Sequence, residues 1–107
     1  MSNPTFLSWV EGDVRREREA QDRKWGEQNH PDGTGGTTRE AVRDRMRSRC
    51  QTAAAQGRVT WNMILQEEFT EAMAETDPEK LRLELIQVAA VAMTWAEAID
   101  RRKKTGS

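Results

Sequence analysis

The sequence has no tyrosine, three prolines and a single cysteine, Cys50. One cysteine excludes an intrachain disulfide framework and a cysteine-based zinc site. It also fits a reducing, cytoplasmic setting. No apolar run approaches the 18–20 residues of a membrane span. The longest, Val88–Met93, is far shorter, and the mean hydropathy is −0.90. The amino end does not read as a secretory signal, because Arg15, Arg16 and Arg18 follow the few apolar residues there instead of preceding them. Neither sign of charge is in excess: 17 Lys and Arg stand against 18 Asp and Glu, for a formal charge of −1. A generic binder of nucleic acid normally shows a basic surplus, so none is expected as a partner, and no membrane either. Sustained apolar–polar alternation is missing as well, which argues against strands.

What remains is a short, charged, helix-patterned chain. Its 107 residues, 33% of them charged, fit one domain spanning residues 1–107. Such a small domain has much surface for little core, which favours association between chains. Asn3-Pro4, or Ser8 with Glu11 as a capping box, opens a first helix with apolar positions Leu7, Val10, Val14 and Trp25. The glycines and proline of Gly26–Gly36 make a loop. Thr37 with Glu40 reads as a second capping box, for a helix ending near Gly57. Thr60 caps a third, from Trp61 to about Thr76, with Trp61, Ile64, Leu65, Phe69, Ala72 and Met73 as its apolar stripe. Asp77-Pro78 starts a fourth. From Leu85 to Ala96 this last helix is apolar nearly all round, a pattern that needs cover on several sides and again suggests a second subunit. Arg101–Lys104 suits a helix carboxyl end, and residues 105–107 are expected to fray.

The sharpest local feature is Glu67-Glu68-Phe69-Thr70-Glu71. Glu68 and Glu71, three apart, share one helix face with Cβ atoms about 5–6 Å apart. After twelve intervening residues Glu84-Leu85-Ile86-Gln87 repeats the spacing. Two helices joined by a short turn can set the pairs opposite each other. Clustered carboxylates beside apolar surface repel, so some must protonate unless a cation sits among them, and hard divalent cations favour such oxygens. Two readings stay open on spacing alone: a cation site, or a solvated acidic helix face.

Glu68-x-x-Glu71 followed by Glu84-x-x-Gln87 resembles the paired ExxE and ExxD motifs of the MazG-like, all-α nucleoside triphosphate pyrophosphatases. Trp61-x-x-Ile64-Leu65-x-Glu67-Glu68 before the first pair and the Val88–Ala92 run after the second extend the likeness. Upstream, Lys24-Trp25-Gly26-Glu27-Gln28-Asn29-His30-Pro31 looks like the Trp- and His-containing segment of the dCTP pyrophosphatase branch, and like the small MazG-like proteins of phages and prophages. The resemblance covers roughly residues 17–101. It implies an all-α, four-helix bundle-like fold completed as a homodimer or homotetramer. It also implies Mg2+-dependent cleavage, with Mn2+ as a possible substitute, of a nucleotide between its α- and β-phosphates. Glu68, Glu71, Glu84 and Gln87 then fall at the metal-ligand positions, and Glu67 would orient or deprotonate the attacking water. Lys24, Trp25 and His30 would lie on the nucleotide side. Family members carry Asp where this chain has Gln87, which predicts weaker metal binding or lost hydrolysis. Glu75 and Asp77 are the nearest acids that could compensate.

Bland readings accompany the rest. His30, the sole histidine, reads as an exposed side chain or as a partner for a base. Trp25 could instead close the stripe of the first helix, and core packing is expected for Trp9, Trp61 and Trp95. Arg39, Arg43 and Arg47 share a face of the second helix; most read as solvated, while one or two, Arg47 among them, could reach a triphosphate through the planar fork of the guanidinium. Gly33-x-Gly35-Gly36 lacks the Gly-Lys-Ser/Thr ending of a phosphate loop and reads as flexible linkage. Cys50 shows no evident base or partner. Besides hydrolysis, two other functions fit this sequence: a nucleotide-sequestering module without catalysis, and a helical interaction protein.

Overall fold

Four helices account for the regular structure among the described residues, 4–105 of a computed structural model, with no strand among them. They are α1 (Pro4–Trp25), α2 (Thr37–Ala55), α3 (Trp61–Ala74) and α4 (Pro78–Thr105). None of them is long and apolar enough to cross a membrane. The Asn3 cap expected for α1 lies outside the described residues, and the start at Pro4 leaves Ser8 inside the helix instead of at its cap.

Most boundaries follow from local chemistry. The α2 helix ends in a Schellman motif: Gly57, at φ +70°, donates its N–H to the Ala54 carbonyl, and Arg58 donates to that of Ala53. The Thr60 hydroxyl accepts from the Met63 amide at 3.2 Å and opens α3 as expected. The Asp77 carboxylate accepts from the Lys80 amide at 3.0 Å, with Pro78 in the first helical position of α4. The start of α2 corrects the sequence reading. Its cap is Gly36, which has no side chain to bond, and Thr37 is already helical.

The chain divides into two compact units. One comprises residues 32–92. In it α2 packs on α3 through small side chains: Cys50 and Ala53 of α2 are buried, as are Thr70, Ala72 and Ala74 of α3 and Leu81 of α4. Small residues at a helix contact let the axes approach. The Gly33–Gly36 stretch is pinned, contrary to its reading as flexible linkage. Gly35 is buried, donates its N–H to the Met73 carbonyl at 2.8 Å, and accepts from Arg39 Nη1 through its own carbonyl at 2.9 Å. At φ +90° it needs glycine, and a Cβ there would collide with the Thr76 methyl.

The other unit holds residues 1–31 and 93–107. Its buried apolar residues include Phe6 and Val10, one turn apart, with Trp9 edge-on to Phe6 at 5.4 Å between ring centres. The expected stripe was shifted: Leu7 and Val14 are exposed, and Trp9 and Trp25, at 51% and 62%, are not core residues. Trp61 and Trp95 are half-buried.

Candidate metal centre

The candidate site lies within residues 32–92 and is built by three helices. Within α3 the spacing of three puts Glu68 and Glu71 on one face. The turn at Glu75–Asp77 then reverses the chain so that Glu84, two turns into α4, meets them. Glu68, Glu71 and Glu84 each offer a carboxylate oxygen, and these oxygens all lie within 4.8 Å of one another. All three residues are half-buried. Glu68 Oε2 and Glu84 Oε2 are buried with no hydrogen-bond partner in the protein.

That is an electrostatically expensive arrangement. Two full negative charges about 5 Å apart repel by roughly 3 kcal/mol at an effective dielectric constant near 20. Burial pushes the Glu68 carboxyl above its ordinary value, and the charges of Glu71, Glu84 and Glu67 push it further. Burial does the same to Glu84, reinforced by the charges of Glu71 and Glu75 and by a hydrogen bond to Glu71, while Arg47 acts in the opposite direction. Glu71 is thus the hub. One of its carboxylate oxygens lies within 4.8 Å of one of Glu84, and its Oε1 accepts from Arg47 Nη2 at 3.3 Å and Nε at 3.4 Å across the α2–α3 pair.

The donor set suits a hard divalent cation. Three carboxylates converge, two of them with an oxygen that lacks any protein donor, and a cation is what such oxygens accept in place of water. Exposed acids form clusters without binding ions, but these are half-buried and repel one another. The acids can therefore hold a metal ion, one of the two readings that the spacing leaves open.

The neighbours sort less simply. Glu67, one residue before the triad, accepts a hydrogen bond from the Cys50 thiol, and burial together with that bond raises the thiol above its ordinary value. Cys50 therefore has a partner, contrary to expectation, and its buried, protonated state is that of a structural residue. Nothing in the sequence links positions 50 and 67, because the contact crosses from one helix to the next. Gln87 follows Glu84 by one turn and is exposed. Glu75 and Asp77 are not among the three converging acids. Glu75 Oε1 accepts from the amides of Thr76 and Asp77, both at 3.1 Å, and the Asp77 side chain caps α4. Both acids build the turn.

The remaining candidates belong to the other unit. The Lys24 ammonium sits 4.9 Å from the centre of the Trp25 ring, a cation–π contact at an exposed site. His30 is exposed, with Nε2 3.2 Å from Gln28 Oε1. Comparison with protein-family models, curated proteins and solved structures finds no match.

Proposed function

We propose that this chain is a small MazG-like protein that holds Mg2+, or Mn2+ in its place, on Glu68, Glu71 and Glu84 and hydrolyses a nucleoside triphosphate to the monophosphate and pyrophosphate. The observation that carries this reading is the convergence of three carboxylates from two helices, with two buried oxygens left unpartnered. When bound, the cation would neutralise the charge that develops on the phosphoryl oxygens during cleavage.

The chain's own groups divide the remaining tasks. Glu68, Glu71 and Glu84 would hold the cation. Glu67, next in sequence to Glu68, would orient the attacking water and accept its proton. Arg47 stands at the rim, 47% exposed, where its planar fork can take a phosphate.

Self-association belongs to the same reading. Leu83, Leu85 and Ile86 of α4 and Phe69 of α3 are large apolar side chains left 46–60% exposed within residues 32–92, and a second copy would cover them.

Incubation with a panel of ribo- and deoxyribonucleoside triphosphates and Mg2+ or Mn2+, read out as pyrophosphate, tests the activity. Metal-dependent release is expected, and Glu71→Gln or Glu84→Gln should each abolish it. Gln87→Asp should preserve or raise it. A second reading, nucleotide binding without hydrolysis, is favoured by the exposed Gln87, which brings no charge to the cation. It predicts no pyrophosphate release but a higher melting temperature with nucleotide and metal present.

A further inference from the structure

Arg47 has a place in the structure that its assignment as a phosphate ligand does not explain. It reaches from α2 to α3 and aims two of its nitrogens at one oxygen, Glu71 Oε1, at the long end of hydrogen-bond range. The pair is asymmetric: the Arg47 side chain is 47% exposed and that of Glu71 only 21%. The carboxylate is thus fixed inside the cluster, and the guanidinium is held loosely at its edge. The neighbouring Arg43 also feels the charge of Glu71, but it is bonded to Asp44 through Nε at 3.0 Å. Arg47 is accordingly the cation in direct contact with the carboxylate shared by the triad.

We propose that Arg47 is a resident counter-ion of the acidic centre: it yields Glu71 to a divalent cation and turns its freed guanidinium to an anionic, phosphate-bearing ligand. This rests on the cation-site reading given above and adds to it a rule of binding order. A cation arriving alone has to displace a favourable partner of Glu71 and leaves a guanidinium unpaired. A phosphate supplies that guanidinium with a new acceptor, one that matches its planar fork. Cation and phosphate therefore bind cooperatively, and the coupling is reciprocal. The centre resists free metal and responds to metal carried by a polyphosphate.

The test uses Mn2+ alone, with the free ion followed by electron paramagnetic resonance, on the wild-type chain and on Arg47→Gln, Arg47→Met, Arg43→Gln and Glu71→Gln. Circular dichroism establishes that each is folded, and Arg47→Met keeps the apolar stem in case Arg47→Gln loosens the α2–α3 contact. The Arg47 variants should bind Mn2+ about two- to fivefold more tightly than wild type, the scale of a partly exposed ion pair. Arg43→Gln removes the same charge nearby without touching that bond and should change binding less. In a second arm, inorganic tripolyphosphate is titrated at fixed free Mn2+, and the Arg47 variants should bind it about tenfold more weakly, as expected for loss of a charge-assisted fork. Unchanged or weaker Mn2+ binding in the Arg47 variants would overturn the proposal and leave the cation site standing, with Arg47 a mere tie between helices. Equal tightening by Arg43→Gln would overturn it too, by reducing the effect to net charge. If wild type and the Arg47 variants bind Mn2+ no better than Glu71→Gln, the cation site itself fails and the proposal falls with it.

Discussion

Glu68 and Glu84 show how far a spacing rule reaches at the scale of single residues. The i,i+3 spacing could be read from the sequence, and Glu68, Glu71 and Glu84 do converge. The bonds that Glu71 and Glu67 make to Arg47 and Cys50 could not, since both cross between helices and depend on a packing register that no local pattern encodes. Crowding also sets a pH dependence. Both carboxyls titrate above the ordinary value of 4.5, so the folded chain holds more protons than the unfolded one from about that pH upward. Stability in the presence of a chelator should therefore fall as pH rises through the raised folded values and level off beyond them. Thermal melts across weakly acidic to neutral pH check this, and Glu84→Gln should flatten the slope. Added Mn2+ should stabilise most at the upper end, where the carboxylates are ionised.

The helices themselves were legible wherever a side chain makes the cap. Thr60 and Asp77-Pro78 mark the starts of α3 and α4, and Gly57 marks the end of α2. Thr37 misled because a threonine followed three residues later by a glutamate also occurs one position inside a helix, and here glycine holds the cap. Burial was harder to read. Phe6 is buried where Leu7 was expected, since a helical stripe tolerates either neighbour until a partner surface chooses. Asp77→Ala should cost about 1 kcal/mol in urea denaturation. Gly35→Ala should cost more, about 2 kcal/mol, because it combines a left-handed backbone with a collision against Thr76.

For the molecule as a whole, composition and periodicity announced an all-helical chain with little core, and the regular structure among the described residues is all helical. Most of the large apolar side chains of α4 before Ala92 remain outside any core: Leu81 is buried, whereas Leu83, Leu85 and Ile86 are exposed. Sedimentation velocity over a range of concentrations should show a dimer or larger species, and Ile86→Asp should shift it towards monomer. No composition statistic could say which apolar residues would be left over, because that depends on which face of α4 meets α3.

The connection between α3 and α4 is three residues long, and its backbone amides are tied to a carboxylate of their own. A helix turns by about 100° per residue. Lengthening or shortening this link by a single position would therefore swing Glu84 away from its companions even if both helices stayed intact. By contrast, the stretch between the carboxyl end of α2 and Thr60 positions no acid of the triad on α4. Natural variants of this chain should accordingly tolerate length changes there and resist them at residues 75–77.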